Sequence, residues 1–173
     1  MRSVLLAKIK NYKQMATIAR RLRRSGKKVV FAMGSFDLLH LGHIYFLEAA
    51  KKFGDILIVG VGNDKHVRIL KGKYRPIYPE NMRLIMTAAI QFVDYAVILT
   101  ESFKNKKDDY SLFLSKIKPD IFVLNYDDSA KGETMNITKK MGITLKLIRR
   151  DISKMPRLST TATHKKIERD SQN

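Results

Sequence analysis

The sequence contains no cysteine among its 173 residues. Disulfides, thiolate metal ligands and a cysteine nucleophile are therefore excluded, and catalytic chemistry must rely on oxygen and imidazole groups. Such groups favour a hard, oxygen-bound cation, so we expect Mg²⁺ as the cofactor. No residue is singled out as a protein ligand to a metal.

Long apolar runs are also missing. No stretch of about 18 apolar residues occurs, and no hydrophobic signal region follows the basic N-terminus. We therefore expect a soluble, cytoplasmic protein. There is no internal repeat and no low-complexity linker, and the length fits a single domain with a real hydrophobic core.

Acidic residues are scarce: 16 Asp and Glu stand against 34 Lys and Arg, which gives a net charge of +18. The resulting field concentrates anions such as nucleoside triphosphates, phosphorylated acceptors or nucleic acid. Because the basic residues are spread along the chain, we interpret most of them as solvated surface. Charge alone does not choose among these anions.

Short apolar runs alternate with amphipathic segments, a pattern typical of a parallel sheet covered on both sides. The pattern predicts an α/β fold: a single Rossmann-like, doubly wound domain with a five-stranded parallel sheet. For such a doubly wound sheet we expect the strand order 3-2-1-4-5. Strands are predicted at residues 29–33, 56–61, 95–99, 120–124 and 143–148. Helices are predicted at residues 11–25, 42–53, 63–70, 80–91, 108–116, 132–141 and 159–169. We divide the chain into an N-terminal helical extension (1–26), the main domain (27–169) and a frayed tail (170–173).

The turn after the first predicted strand carries two histidines in the string Gly-Ser-Phe-Asp-Leu-Leu-His-Leu-Gly-His, residues 34–43. Gly34 allows a tight turn after the strand. Gly42 leaves no side chain between His40 and His43, so a phosphate can approach the backbone at the start of the next helix. The string therefore predicts a phosphate site flanked by two imidazoles.

This string resembles the first motif, G-x-F-D-x-x-H-x-G-H, of the HxGH nucleotidyltransferases of the cytidylyltransferase-like family, and the resemblance extends over about residues 26–167. It implies transfer of a nucleotidyl group from a nucleoside triphosphate to a small phosphorylated acceptor, with release of pyrophosphate. His40 and His43 would be catalytic. We expect a homodimer and no membrane partner. The residues of this motif that would bind the nucleotide are Gly34, Ser35, Phe36, Asp37 and Gly42.

Two further segments follow the family pattern. Hydroxyls and free amides at a helix N-terminus can hold a β- or γ-phosphate, and Ser159, Thr160 and Thr161 precede the last predicted helix. In the loop Lys-Gly-Lys-Tyr-Arg-Pro-Ile, the resemblance implies that Lys71 is catalytic. It also implies that Arg83, in the next helix, contacts phosphate. Asp94 is expected to support the fold.

In a doubly wound sheet, ligands bind at the carboxyl ends of the strands, where the strand order reverses. The loop after the fourth strand would then face the histidines, so we predict Asn125 and Asp127 as ligands of the acceptor hydroxyls and Arg157 as a ligand of its phosphate.

The Lys-Gly-x-x-Arg-Pro loop is most similar to that of heptose 1-phosphate adenylyltransferases, which favours transfer of AMP from ATP to a sugar 1-phosphate. Gln91 stands where cytidylyltransferases acting on glycerol 3-phosphate place an arginine. Three alternatives stay open. They are a CTP-dependent enzyme for glycerol 3-phosphate or a phospho-amino-alcohol, an FMN adenylyltransferase, and a non-catalytic basic module that binds nucleic acid.

Overall fold

The protein is described by a computed structural model that covers residues 3–100, 110–128 and 131–149. Its five strands form one parallel sheet with the order 3-2-1-4-5, which confirms the predicted fold class. The strands are β1 (Val29–Gly34), β2 (Ile56–Gly62), β3 (Tyr95–Leu99), β4 (Ile121–Asn125) and β5 (Thr144–Ile148). The helices of the described residues are α1 (Val4–Lys8), α2 (Tyr12–Arg24), α3 (Leu41–Lys51), α4 (Asp64–Lys71), α5 (Glu80–Ala89), α6 (Ser111–Ile117) and α7 (Lys131–Met141).

The two faces of the sheet bury alternate residues of the same strands. Val30 and Ala32 of β1 belong to a core covered by α1, α3 and α5, whereas Val29 and Phe31 belong to a core covered by α2, α6 and α7. Strand residues alternate between faces, and both faces are covered, so nearly every residue of the central strands must be apolar. This explains why the strands appear in the sequence as unbroken apolar runs.

Helix ends follow the local chemistry of the sequence in most places. The Asn11 side chain accepts a hydrogen bond from the Gln14 N–H and caps α2, and Gly26 ends that segment with a φ of 69°. Asn63 caps α4 by accepting from the His66 N–H at 2.7 Å. The helix predicted to begin at residue 108 begins instead at Ser111, with Tyr110 at its N-cap position. The predicted helix at 159–169 lies outside the described residues.

The N-terminal segment is packed onto both sides of the sheet. Helix α1, which the sequence analysis did not predict, contacts α5, and α2 contacts α6. Between them, Ile9 bridges Ala96 of β3, and the Lys10 N–H donates to the Ala96 carbonyl at 3.0 Å. The chain therefore crosses from one face to the other around the outer edge of β3. The proposed division at residue 26 stays a prediction.

Carboxylates at the amino-terminal end of the sheet support the fold. Asp94 accepts from the Leu57 N–H at 2.7 Å and from the Lys51 ammonium at 2.5 Å, as expected for a supporting residue. Asp120 accepts from the Val29 N–H at 2.7 Å. These bonds satisfy backbone donors where two strands begin. Among the described residues, no helix is both long and apolar enough to cross a membrane.

Candidate active site

The turn after β1 brings the two motif histidines to the start of α3. It needs unusual backbone, with φ of 48° at Phe36 and 49° at Leu38. A Cβ at Gly34 would lie 3.1 Å from the Phe36 ring, so a side chain at this position would require the ring to shift by a few tenths of an ångström. The Phe36 ring is 2% exposed and lies 5.5 Å from the His43 ring, centroid to centroid. The buried Phe36 ring thus packs next to the His43 ring and supports the turn.

His40 and His43 stack on each other at the positive end of α3. Their ring centroids are 4.0 Å apart, with 28° between the planes. The His40 Nδ1 accepts from the Gly42 N–H at 3.1 Å, and the His43 Nδ1 accepts from the His40 N–H at 3.4 Å. A neutral imidazole whose Nδ1 accepts carries its proton on Nε2. Each ring therefore has Nε2–H as its donor, which suits contact with a phosphate oxygen.

Asp37 ties this turn to the loop that follows α4. Its buried carboxylate accepts from the N–H groups of Ile77, at 3.0 Å, and Tyr78, at 3.1 Å, and from the Arg75 Nε at 2.8 Å. Burial by itself raises the pKa of Asp37. The two backbone hydrogen bonds and the Arg75 guanidinium outweigh that effect and lower the pKa below its ordinary value. The nucleotide-binding role predicted for Asp37 stays a prediction; the structure adds a positioning role.

Arg83 of α5 is fully buried and joins three parts of the site. Its guanidinium donates to the Ser35 carbonyl at 2.5 Å, to the Tyr78 carbonyl at 2.9 Å and to the Asp64 carboxylate at 2.8 Å. These bonds connect the turn after β1, the loop before α5 and the first residue of α4. The predicted contact between Arg83 and phosphate is untested, and the side chain is engaged by protein groups.

Lys71 ends α4 and stands among four charged residues of the site. Desolvation lowers the pKa of Lys71, and Arg75 and Arg83 lower it further, while Asp37 and Asp128 act in the opposite direction. The charge of Lys71 thus interacts both with Asp37, in the turn after β1, and with Asp128, in the loop after β4.

The loop after β4 holds the residues predicted for the acceptor. Because β1 and β4 are parallel neighbours, their carboxyl ends meet at one edge of the sheet. Asn125 is the last residue of β4 and Asp127 follows in an exposed turn. The acceptor-binding roles of both residues stay predictions. Arg157 and the Ser159-Thr160-Thr161 segment lie outside the described residues.

His66 is a residue of this region that the sequence analysis did not single out. It lies in the first turn of α4, and a Cβ at Gly62 would lie 3.4 Å from the His66 Cδ2. Burial lowers the pKa of His66 to about 4, and the charge of Arg83 contributes to the shift. The sequence feature that could have identified His66 is its position three residues after Asn63, a helix-capping residue that follows a buried strand.

The carboxyl end of the sheet thus combines paired imidazoles, a lysine whose pKa is lowered and a polar loop. A cavity of about 790 Å³ lies at the opposite end, lined by residues such as Lys28, Pro119 and Gly142, away from these groups. Within the described ranges, no cluster of three or more His, Asp or Glu could hold a metal ion. Fold and site together define an α/β protein of the nucleotidyltransferase class.

The chain belongs to the Cytidylyltransferase-like family, whose model matches residues 31–165. It is similar to the Bifunctional protein HldE of several bacteria. The protein of a Nitratiruptor species is 42% identical over 123 residues, which are 71% of this chain and 25% of that protein. The protein of Aliarcobacter butzleri is 36% identical over 160 residues, 92% of this chain and 31% of that protein. The chain therefore spans about a quarter to a third of the length of these two relatives.

Two solved structures share the fold. The lipopolysaccharide core biosynthesis protein from Thermoplasma volcanium is 38% identical, with a TM-score of 0.60, and the match covers 72% of this chain and 96% of that one. The pantoate-beta-alanine ligase from Francisella tularensis has a TM-score of 0.64 over 90% of this chain and 72% of that chain. At 19% identity, that second likeness shows the fold alone.

Proposed function

We propose that the protein transfers AMP from ATP to a small phosphorylated acceptor, a sugar 1-phosphate. A phosphate oxygen of the acceptor attacks the α-phosphorus. The bond from that phosphorus to the oxygen that bridges to the β-phosphate then breaks, and pyrophosphate leaves. The observation that carries the proposal is the stacked pair His40 and His43 at the start of α3, on the side of the sheet where Lys71 and the loop after β4 lie.

The proposed roles follow from charge. Such a transfer needs positioning and neutralisation of developing negative charge more than it needs a covalent intermediate. The Nε2–H groups of both histidines would donate hydrogen bonds to the α-phosphate, and the Lys71 ammonium would neutralise charge on the leaving pyrophosphate. The N-terminus of α3 adds a favourable dipole. The similarity to HldE proteins, in which the matched part is 42% identical in Nitratiruptor, supports a sugar phosphate acceptor.

Mg²⁺ fits this arrangement as an ion bound by the oxygens of the triphosphate. Mg²⁺ is commonly held by one or two carboxylates together with substrate phosphates and waters, not by a full protein cage. Asp128, whose charge acts on Lys71, could supply such a carboxylate. When bound, the ion would offset the charge of the β- and γ-phosphates.

We propose further that the protein acts in the cytoplasm as a homodimer. Exposed apolar side chains at helical spacing on α3, namely Leu41, Ile44 and Tyr45, support an interface with a second copy. Light scattering coupled to gel filtration tests the dimer, with Ile44→Glu expected to shift the mass to that of the monomer. An unchanged mass with that variant contradicts the assignment of this face. Cell fractionation tests the compartment.

A pyrophosphate-release screen tests the activity. ATP and CTP are each combined with sugar 1-phosphates, glycerol 3-phosphate, phosphocholine, phosphoethanolamine and FMN. Turnover with ATP and a sugar 1-phosphate is the expected result. Turnover only with CTP would overturn the choice of ATP, and turnover only with FMN would overturn the choice of acceptor. Oligonucleotide binding without any turnover would favour the nucleic-acid module.

A further inference from the structure

Two cationic side chains lie over the ring of an exposed tyrosine at the rim of the site. Tyr126 follows β4 and is 43% exposed. The Lys131 Nζ lies 4.3 Å from the centre of its ring, and the Arg149 Cζ lies 4.2 Å from it. Lys131 begins α7, and Arg149 comes directly after β5. We call these three residues the Tyr126 cluster; it is built from three separate parts of the chain.

The backbone holds this cluster in place. The Tyr126 N–H donates to the Ile148 carbonyl at 2.8 Å, which continues the pairing of β4 with β5. The Asp128 N–H donates to the Asn125 carbonyl, and the Lys131 N–H donates to the Asp128 carbonyl, both at 3.1 Å. These bonds hold the start of α7 close to the end of β4, and the Lys131 ammonium lies over the Tyr126 ring. Preorganised groups lose less conformational entropy when a ligand binds.

The charges of the cluster favour an anion. A cation over an exposed aromatic ring gains about 0.5–1 kcal/mol, but two cations at one ring repel each other. An anion that contacts both cations removes that repulsion and forms charge-assisted hydrogen bonds. A guanidinium stacked on a ring keeps its N–H donors at its own edge, where a phosphate can accept from them.

The position of the cluster indicates which anion. It lies at the carboxyl ends of β4 and β5, next to Asn125 and Asp127. The same loop contains Asp128, whose charge acts on Lys71. An anion bound at the cluster would therefore lie on the β4 side of the site. His40 and His43, at the N-terminus of α3, lie on the β1 side.

We propose that the Tyr126 cluster binds the phosphate monoester of the acceptor. Lys131 and Arg149 would contact the phosphate oxygens, and Tyr126 would act as a positioning residue that holds both cations. This assignment rests on the proposed function. It gives acceptor recognition to three residues that the sequence analysis did not predict for that role.

The test separates the two substrates. Initial rates are measured for Lys131→Gln, Arg149→Gln and Tyr126→Leu with ATP and acceptor varied in turn. The KM for the acceptor should rise about 5- to 20-fold in each variant, as expected for loss of a charge-assisted contact. The KM for ATP and kcat should stay within about twofold of wild type. Tyr126→Phe keeps the ring face and should bring the acceptor KM back toward the wild-type value.

Lys146→Gln is the matched control, because it removes one exposed positive charge from β5 at a residue that lines the cavity at the far end of the sheet. Its acceptor KM should equal that of wild type. Unchanged acceptor KM in Lys131→Gln and Arg149→Gln would overturn the proposal. So would an equal rise in the KM for ATP, since the cluster would then bind the nucleotide.

A binding measurement keeps this proposal separate from the proposed function. If the wild-type protein turns over no acceptor, the proposed function fails, and glucose 1-phosphate and inorganic phosphate are titrated into ¹⁵N-labelled protein. Chemical-shift changes centred on Tyr126 and Arg149, with an affinity at least fivefold weaker in Arg149→Gln, would still support an anion site here. Equal affinity in the wild-type protein and Arg149→Gln would overturn it.

Discussion

Asp37 and Arg75 form a buried ion pair that joins the turn after β1 to the loop after α4. The Arg75 Nε donates to the Asp37 Oδ2 at 2.8 Å, and the Nη2 lies 2.6 Å from the same oxygen. That Nη2 makes no hydrogen bond of acceptable geometry within the described residues, so the contact there is electrostatic. Together with Arg83, this ion pair links the turn after β1, which leads to His40 and His43, to the loop that follows Lys71.

Asp37→Asn should destabilise the protein strongly near neutral pH. The change keeps the shape of the side chain but leaves the buried Arg75 without its counter-charge, a loss of about 3–5 kcal/mol. The folded-state pKa of Asp37 is lowered, so its stabilising effect is present above the unfolded pKa and is lost as pH falls through the lower folded pKa. Urea unfolding at several pH values should therefore show the gap between wild type and variant narrowing below about pH 4. A gap independent of pH would contradict the ion pair.

Arg83→Lys distinguishes a positioning role from a phosphate contact. Lysine keeps the charge but cannot donate to Ser35, Tyr78 and Asp64 together. If Arg83 acts by positioning, the variant should lose about 2 kcal/mol of unfolding free energy or more, because buried acceptors lose their partners. Thermal unfolding and nucleotide titration are measured on the same sample. Wild-type stability with weakened ATP binding would instead support the phosphate contact.

His40→Asn and His43→Ala should each lower turnover by about 10² or more, because each removes a donor to the developing charge on phosphate. Asparagine is a good N-cap residue, so His40→Asn should keep the cap of α3 and the stability of the fold. Pyrophosphate release and circular dichroism together check this. Turnover like that of wild type in both variants would remove the catalytic assignment.

Lys71→Ala should weaken triphosphate binding more than diphosphate binding, because its ammonium is proposed to contact the leaving phosphates. Lys73→Ala is the control in the same loop, since the exposed Lys73 lies over the Tyr74 ring, 4.8 Å from its centre, and is not part of the charge group around Lys71. Calorimetric titration with both nucleotides gives the two affinities. Equal losses in Lys71→Ala and Lys73→Ala would indicate a general charge effect.

His66 should make stability depend on pH between about 6.5 and about 4. The unfolded chain takes up a proton on this residue near its ordinary pKa of 6.5, whereas the folded protein does so only near 4. Unfolding free energy should therefore fall as pH drops through this window, and His66→Gln should flatten that fall. NMR titration of the imidazole signals gives the pKa directly. A His66 signal that titrates near 6.5 would disprove the burial argument.

The fold could be predicted from the sequence because strands of a covered parallel sheet are short apolar runs, and the order 3-2-1-4-5 is the one expected of a doubly wound domain. It also placed Asp94 correctly as a supporting residue. Long-range side-chain contacts were not readable in the same way. Nothing local in the sequence shows that Asp37 accepts from Ile77 and Tyr78, 40 and 41 positions away.

The cations at Tyr126 were missed for a similar reason. Lys131 is near in sequence, but Arg149 reaches the ring only because β5 pairs beside β4. Helix α1 was missed because its five residues are too few for an amphipathic pattern to be recognised. Propensity and periodicity describe short windows of chain, whereas these contacts depend on which strands become neighbours.

The contact of Ile9 and Lys10 with Ala96 bears on how the protein behaves at high concentration. An open edge strand offers unpaired N–H and C=O groups to strands of other molecules, which is a common route to aggregation. The N-terminal segment already uses the Ala96 carbonyl and covers this part of β3. A foreign strand would have to displace that segment before it could pair along β3. Ile9 and Lys10 therefore protect this part of the β3 edge against edge-to-edge association.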